Sequence, residues 1–505
     1  MQYEYIKRIL GARVYDVSRE TRLHPAPHIS ARIGNSVLLK REDEQPVFSF
    51  KCRGAFNRIF KLLEREPVQG VMTASAGNHA QGVALAAKKL NIKAVIVMPV
   101  TTPAIKVESV RALGGEAVLY GDDFDAAAAH AKALSARTGY PLIHPFDDPD
   151  TIAGQASVAV ELCRQHPDRL DAVFVPVGGG GLAAGVSLYM KYLRPEVRVI
   201  GVEPVDAASM HDALRADERV TLDSVGLFAD GVAVRQVGEY TFDICRECLD
   251  EIVLVSVDEM AAAIKDIFTD TRTLTEPAGA LALAGLKKYA AAHHWQDKRL
   301  AAIVSGANIN FDRLRHVAER VEVGENHEAL IAVTVPEEPG SFRRFCRTIG
   351  KRAITEFNYR YADAHTAHVF AGVVLPDGKS DDARRELLDM LADNGYQVLD
   401  MTDNETAKLH VRHMVGGHAG LADERLFRFR FPERPGALLG FLEAIRPDWN
   451  ITLFHYRSHG AAYGRVLVGM QVPETDEAAL QDFLDNGGYH GEPETDNAAY
   501  ELLLR

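Results

Sequence analysis

Short apolar runs alternate with stretches of helical periodicity from about residue 36 to residue 310, and no other feature constrains the fold of this chain as strongly. The runs VMTAS (71–75), KAVIVMP (93–99) and AVFVPV (172–177) are continuously apolar, which is typical of strands buried on both faces. Strand–helix repetition with short connections predicts an α/β fold with mainly parallel sheets covered by helices. Because ligands of such sheets bind beyond the carboxyl ends of the strands, we expect functional residues at strand-to-helix turns.

The last two-fifths of the chain contain an internal repeat. The segment ALIAVTVPEEPGSFRRFCRTI (329–349) matches RLFRFRFPERPGALLGFLEAI (425–445), and ITEFNYR (354–360) matches ITLFHYR (451–457). Each copy is predicted to run strand, Pro-Gly turn, helix, strand, strand, and two copies can bury a shared core. The repeats carry no evident catalytic constellation, so a structural or oligomerising appendage is an alternative interpretation.

Charge and cysteine usage exclude several classes of protein. The chain has 57 Lys and Arg against 70 Asp and Glu, a net charge of −13, which argues against a nucleic-acid or anionic-membrane partner. Its 5 cysteines are scattered and odd in number, as in reduced cytoplasmic proteins. Cys245 and Cys248 form a CxxC without a second Cys/His pair, so we predict no metal site. We also expect no signal peptide and no membrane span, since no apolar run approaches ~20 residues.

Two segments each place one reactive side chain at a turn. In SFKCRGAFN (49–57), Lys51 stands between apolar residues before a helix, where a lysine can lose its proton and act as an amine nucleophile. In IVSGANIN (303–310), Ser305 is predicted at the carboxyl end of a strand. Most lysines in proteins are solvated surface charges, and most turn serines cap their own backbone, so a structural role stays open for each.

A third segment, TASAGNHAQG (73–82), follows a predicted strand and opens a helix at Ser75, Gly77 and Asn78. Successive backbone N–H groups at a helix start suit a carboxylate or a phosphate. His79 is compatible with a catalytic base and equally with a structural role.

The fourth segment is the glycine-rich loop PVGGGGLAAG (176–185), whose backbone can approach a phosphate closely. Taken alone it is ambiguous. Gly178, Gly180 and Ala183 partly fit a dinucleotide fingerprint, and Glu203 ends the next predicted strand, where a ribose contact would be expected.

In this order and spacing, the segments SFKxRGA, SAGNHAQG, GGGG, TEPAGA (275–280) and SGAN resemble those of the fold type II (tryptophan synthase β-like) pyridoxal-phosphate enzymes. Within that group they resemble the biosynthetic threonine dehydratases, from about residue 10 to the C-terminus. The repeats resemble the ACT-like, α+β regulatory domains of the long form of these enzymes. The resemblance implies a catalytic domain over 1–324 and regulatory subdomains over 325–420 and 421–505.

The resemblance also implies roles for individual residues. Lys51 would carry pyridoxal 5′-phosphate covalently and act as the catalytic base. Asn78 would contact the 3′ oxygen of the cofactor and Ser305 its pyridine nitrogen. The cofactor phosphate would be held by Gly178, Gly179, Gly180, Gly181 and Leu182. The substrate carboxylate would be held by Ser75, Ala76, Gly77, Asn78 and His79. Glu276 and Pro277 would line the site without an assigned chemical role.

The implied reaction is the deamination of L-threonine to 2-oxobutanoate and ammonia, the first step of isoleucine biosynthesis, in a homotetramer. Isoleucine would inhibit through the repeats, and valine would oppose it. Each repeat offers an aromatic strand that could flank an apolar effector, although core packing explains these residues equally well. They are Phe357, Tyr359, Phe454 and Tyr456.

Three other functions remain open from the residues. Another fold type II enzyme, such as a serine dehydratase, a serine/threonine racemase or a β-replacement synthase, would have similar loops, although the double repeat favours a regulated dehydratase. An NAD-dependent oxidoreductase would use the glycine-rich loop but would leave Lys51, Asn78 and Ser305 without a function. A non-enzymatic amino-acid sensor would use only the repeats, and the intact lysine segment argues against it.

Overall fold

A computed structural model of the chain has two compact units, Met1–Val317 and Ala318–Arg505. The residues that the structure describes are 2–311, 313–324, 328–336, 341–350, 352, 354–361, 366–375, 380–411, 423–432, 441, 444–446, 449–457, 463–486 and 489–503.

The first unit is built on two sheets. The larger has six strands in the order β1-β2-β9-β6-β7-β8, and the smaller has three in the order β3-β4-β5. All neighbouring strands pair in parallel except β1 with β2, so the prediction of mainly parallel sheets is confirmed. The strands are β1 (Leu23–Pro25), β2 (Ser36–Arg41), β3 (Gly70–Ala74), β4 (Lys93–Met98), β5 (Glu116–Leu119), β6 (Ala172–Pro176), β7 (Arg198–Pro204), β8 (Glu251–Val255) and β9 (Arg299–Val304).

Helices cover both sheets, and none in the described part of the chain is long and apolar enough to cross a membrane. Single 3-10 turns occupy Glu42–Glu44 and Asp230–Val232. The helices are α1 (Gln2–Leu10), α2 (Pro27–Ile33), α3 (Lys51–Arg65), α4 (Asn78–Leu90), α5 (Ala104–Ala112), α6 (Phe124–Thr138), α7 (Pro149–Gln165), α8 (Gly181–Leu193), α9 (Ser209–Ala216), α10 (Glu239–Cys248), α11 (Val257–Thr271), α12 (Pro277–Ala292) and α13 (Arg313–Gly324), in which the division between the units falls.

The second unit contains one four-stranded antiparallel sheet for each repeat, in the orders β11-β12-β10-β13 and β15-β16-β14-β17. The strands are β10 (Glu328–Pro336), β11 (Ile354–Tyr361), β12 (Thr366–Val374), β13 (Gln397–Asp400), β14 (Glu424–Pro432), β15 (Asn450–Arg457), β16 (Tyr463–Gln471) and β17 (His490–Pro493). The helices are α14 (Ser341–Ile349), α15 (Ser380–Asp393), α16 (Glu405–Leu409), α17 (Glu477–Asn486) and α18 (Ala498–Leu503), with a 3-10 turn at Glu474–Asp476.

The repeat is therefore larger than the sequence predicted, because each copy continues into a further helix and a fourth strand. Both predicted Pro-Gly turns lie outside the described residues. Each sheet packs one face against its own helices, and the other faces share a core that contains Leu330 and Phe370 of the first repeat with Leu426 and Leu467 of the second. The shared core confirms that the two copies pack together. The boundaries proposed for the individual subdomains stay a prediction.

Candidate active site

Lys51 is the first residue of α3 and is largely buried. Its Nζ donates a hydrogen bond of 3.1 Å to the carbonyl oxygen of Pro145. Burial lowers the pKa of the Lys51 amine to about 8, and the carboxyl group of Glu276 only partly offsets this. A substantial fraction of the amine is therefore neutral near pH 8, as a base or nucleophile requires.

A fully buried ion-pair network fixes the helix that carries Lys51. Arg53, two residues further on, donates to Glu42 Oε2 at 2.7 Å and to Glu161 Oε1 at 2.6 Å. Lys40 Nζ reaches the same Glu161 at 2.6 Å. The network joins α3 to α7 and to the end of β2. Sequence reasoning missed Arg53, although the charged residue inside an otherwise apolar segment was a signal that it has a buried partner.

The start of α3 also lies unusually close to its neighbours. A Cβ atom on Gly154 of α7 would stand 2.7 Å from the Cα of Gly54, so glycines at both positions allow these helices to touch. A Cβ on Gly82 of α4 would stand 3.0 Å from the carbonyl oxygen of Lys51. The glycines of the two sequence segments therefore bring Lys51 and the start of α4 together.

Asn78 is held by two hydrogen bonds at the start of α4. Its Nδ2 donates to Glu276 Oε1 at 2.6 Å, and its Oδ1 accepts from Asn308 Nδ2 at 2.6 Å. Asn308 Nδ2 also donates to the carbonyl of Val47 at 2.8 Å. These bonds define which way the Asn78 amide points and leave its second N–H hydrogen available. Sequence reasoning did not identify Asn308.

His79 is buried and its Nε2 lies 3.0 Å from the carbonyl oxygen of Ile143. Burial, and then the nearby charge of Lys51, lowers the pKa of the imidazole to about 3. The ring is therefore neutral over the physiological range, which favours the structural interpretation of this side chain. Any contact of His79 with a substrate carboxylate would come from its backbone N–H.

The glycine-rich loop connects β6 to α8 as predicted. Gly180 has φ +94°, in the left-handed region, and a Cβ on Gly179 would overlap the ring of Phe146 at 2.3 Å. Within the described first unit, the N–H groups of residues 178–180 donate no hydrogen bond, and those of Gly181 and Leu182 are at a helix start. This cradle of free N–H groups suits a phosphate.

Glu203 does not support the dinucleotide interpretation. Its carboxylate accepts hydrogen bonds from the backbone N–H groups of Met210 at 2.9 Å and His211 at 2.8 Å, and the side chain is fully buried. Burial raises the pKa of this carboxyl group to about 8. Glu203 is thus engaged at the start of α9 and is not presented to a ribose.

Ser305 follows β9 directly, as predicted, and its Oγ donates to the carbonyl of Ala278 at 3.1 Å. The backbone N–H of Phe50 donates to the carbonyl of Ser305 at 3.2 Å, which ties this turn to the Lys51 segment. Glu276 is the residue immediately before α12, and its backbone N–H donates to the carbonyl of Gly306 at 3.2 Å, next to Ser305. Burial, and then the charge of Asp230, raises the pKa of the Glu276 carboxyl to about 7.

These residues fit pyridoxal phosphate. The site offers a largely buried amine with a lowered pKa and polar groups on Asn78 and Ser305. It also offers free backbone N–H groups in a loop of glycines, where any larger side chain would collide with neighbouring atoms. In the part of the chain that the structure describes, no group of three or more His, Cys, Asp or Glu residues could hold a metal ion.

Comparison with known proteins gives consistent matches for both units. Residues 14–306 match the family model of pyridoxal-phosphate dependent enzymes, and residues 319–411 and 415–504 match that of the C-terminal regulatory domain of threonine dehydratase. The chain is 54% identical over 509 residues to the biosynthetic L-threonine dehydratase of Burkholderia multivorans, with 99% of both chains covered. It is 52% identical to that of Escherichia coli, with 99% of this chain and 97% of the relative covered.

Solved structures match the catalytic region. The processed form of threonine deaminase isoform 2 from Solanum lycopersicum is 50% identical with a TM-score of 0.62, covering 63% of this chain and 93% of that one. Maize serine racemase is 33% identical with a TM-score of 0.58, covering 62% and 96%.

Proposed function

Because the chain belongs to the biosynthetic L-threonine dehydratases, pyridoxal-phosphate dependent enzymes with a C-terminal regulatory domain, we propose that Lys51 is the base with which it deaminates L-threonine to 2-oxobutanoate and ammonia. The observation that carries the assignment is the largely buried Lys51 amine, whose pKa is about 8. A base is most effective when its pKa is near the working pH.

When bound, pyridoxal phosphate supplies the electron sink that stabilises negative charge at the substrate α-carbon. Lys51 would hold it covalently, and the free N–H groups of residues 178–182 would hold its phosphate. Asn78 would offer its remaining N–H hydrogen to the 3′ oxygen of the cofactor, and the hydroxyl group of Ser305 would face the pyridine nitrogen. The rigid networks around Arg53 and Asn308 support these roles because they fix the two side chains that approach the ring.

The chain itself handles the proton and the substrate carboxylate. The neutral amine of Lys51 accepts the α-proton at Nζ. The turn over residues 75–79 presents the first N–H groups of α4, which would orient the substrate carboxylate. The backbone N–H of Gly77 donates to Ser75 Oγ at 3.3 Å, which keeps the turn in shape.

We propose a preference for L-threonine over L-serine, because a pocket that accommodates the extra methyl gains about 1 kcal/mol or slightly more from it. The test is kcat/KM for both substrates, measured as 2-oxo acid formation, with chiral analysis of the remaining amino acid. A preference of about tenfold for threonine is expected. Equal values would remove the preference, and accumulation of the D-enantiomer would support a racemase instead.

We further propose that isoleucine inhibits through the second unit, that valine opposes it, and that the enzyme is a cytoplasmic homotetramer. The two regulatory-domain matches support effector binding. The side chains of Phe357, Tyr359, Phe454 and Tyr456 lie outside the described part of the structure, so their role stays a prediction. A coupling of ~1–3 kcal/mol would change threonine affinity by roughly 5–150-fold. Threonine saturation curves with and without isoleucine test this, and curves that coincide would contradict it.

A further inference from the structure

The 3-10 turn Asp230–Val232, which sequence reasoning did not single out, forms a wall of the candidate active site. A Cβ atom on Gly231 would stand 3.6 Å from Glu276 Oε1. On the other side of the turn, a Cβ atom on Gly178 of the glycine-rich loop would stand 2.9 Å from the Cα of Val232. The turn therefore lies between the carboxyl group of Glu276 and the proposed phosphate cradle.

Asp230, the first residue of this turn, is held by two cations. Lys106 Nζ donates a hydrogen bond of 2.7 Å to Asp230 Oδ2, and Arg313 Nη1 lies 3.4 Å from Asp230 Oδ1. Arg313 Nη2 also donates to the carbonyl oxygens of Leu227 at 3.0 Å and Phe228 at 2.8 Å. Burial alone would raise the pKa of the Asp230 carboxyl, but the charges of Lys106 and Arg313 outweigh it and lower the pKa to about 2. Asp230 is therefore negatively charged at physiological pH.

Glu276 is in the opposite situation. Its side chain is buried, and within the described part of the chain its carboxyl group accepts one hydrogen bond, from Asn78 Nδ2 at 2.6 Å, and forms no ion pair. A buried carboxylate without a cation is costly, so the group holds its proton to higher pH. Burial, and then the charge of Asp230, raises the pKa of Glu276, whereas the charges of Lys106 and Arg313 and the hydrogen bond from Asn78 act against this.

The proton on Glu276 matters because Lys51 faces the same carboxyl group. The charge of Glu276 acts to raise the pKa of the Lys51 amine, so an ionised Glu276 favours the ammonium form, which cannot act as a base. A protonated Glu276 removes that attraction. It also places no negative charge beside Asn78, the residue expected to contact the 3′ oxygen of the cofactor. The charge on Glu276 therefore affects both side chains.

A purely structural ion pair is the alternative interpretation of Lys106 and Asp230. The two residues are 124 positions apart. Lys106 lies on α5, between β4 and β5 of the smaller sheet, and Asp230 lies between β7 and β8 of the larger one. If the pair only joined the sheets, loss of either member would have the same effect. If the pair sets the charge of Glu276, the two losses have opposite effects, because Asp230 and Lys106 carry opposite charges.

We propose that Asp230 and Lys106 are positioning residues that together set the protonation state of Glu276. Asp230 favours the protonated carboxyl group, and Lys106 limits this effect by offsetting the charge of Asp230. Both act on the reaction through Glu276 and not by contact with the substrate. The inference deepens the proposed function and rests on it, since it requires Lys51 to be the base.

The test compares the full-length holoenzyme with D230N, K106Q and E276Q. Infrared difference spectra across pH report protonated carboxyl groups directly through their carbonyl stretch, and the band that E276Q lacks belongs to Glu276. Glu203, whose pKa is also raised, is an internal reference that should titrate alike in all proteins. K288Q, which removes a lysine from the helix that follows Glu276, is the control. The second measurement is kcat/KM for L-threonine over the same pH range.

We expect the midpoint of the Glu276 band to move down by roughly one pH unit in D230N and up by a similar amount in K106Q, the size of effect that a neighbouring charge has. At about pH 7, kcat/KM should fall by up to about tenfold in D230N and should fall less in K106Q. K288Q should match the wild type in both measurements. Because each variant has its own predicted direction, either one tests the proposal if the other does not fold.

Midpoints that move in the same direction in both variants, or that stay at the wild-type value, would show that the ion pair is only structural and would overturn this inference. With an active wild type, that result leaves the proposed function standing. A wild type that forms no 2-oxobutanoate from L-threonine would remove both proposals.

Discussion

Arg53 Nη1 donates a hydrogen bond of 2.6 Å to Glu161 Oε1, and both side chains are fully buried. The bond joins the helix that begins with Lys51 to α7, and the two bonded residues are 108 positions apart in the chain. A buried charge whose partner is removed is left without hydration and without an opposite charge. Truncating one member of the pair therefore lowers the free energy of unfolding strongly. The pair therefore anchors the reactive lysine rather than taking part in chemistry.

We predict that Arg53→Met destabilises the first unit by about 3–5 kcal/mol, because Glu42 would remain buried without its cation and Glu161 would keep only Lys40. The measurement is thermal unfolding followed through the visible absorbance of the bound cofactor. The control is Arg22→Met, which removes an exposed arginine paired with Glu44 and should cost at most about 1 kcal/mol. Equal effects of the two substitutions would contradict the anchoring role.

We predict that Lys51→Ala folds normally but loses activity by ~10³-fold or more, because the base and the covalent link to the cofactor disappear together. Borohydride reduction of the wild type, followed by peptide mass mapping, should place the pyridoxyl adduct on Lys51. Lys61→Ala, which removes a lysine of the same helix paired with Glu64, serves as the control. An adduct on Lys40 would refute the assignment.

Local sequence patterns predicted the parallel sheets and the positions of Lys51, Asn78 and Ser305. Each of these three residues stands at a turn that the adjacent apolar run and a nearby glycine indicate in the sequence. The contact of Asn78 with Glu276 spans 198 residues, and no local pattern reports it. The fourth strand of the first repeat was missed for a different reason. Strand β13 has only 4 residues, none of them buried, so its apolar signal is weak.

We predict that Glu276→Gln reduces the pH dependence of stability in the cofactor-free protein. The folded-state pKa of this carboxyl is about 7, against an ordinary value of 4.5, so the folded state retains the proton longer than the unfolded chain. The stability that this provides is complete below the ordinary pKa and is lost as the pH rises through the folded pKa.

From about pH 5 to about pH 8 the wild type should therefore lose roughly 2–3 kcal/mol that the glutamine variant does not lose. Urea unfolding of both proteins at the two pH values measures the difference, and Glu203, which also has a raised pKa, cancels because both proteins contain it. Parallel pH profiles of the two proteins would show that Glu276 ionises in the folded state as it does in water.

Asn308 is predicted to act as a positioning residue for Asn78. Asn308→Asp replaces the donor at Asn78 Oδ1 by an acceptor, so the Asn78 amide should turn over and present its oxygen where the wild type presents N–H. Because a misplaced polar contact near the reacting atoms slows the reaction, we expect a loss of ~10²-fold in kcat/KM and a shifted visible absorbance of the cofactor. Asn308→Ala should lose less activity, since the Asn78 amide keeps its bond to Glu276.

The control is Asn91→Asp, which changes an exposed residue at the end of α4. If Asn308→Asp retains the wild-type absorbance and rate, the hydrogen bond between Asn308 and Asn78 does not orient the site.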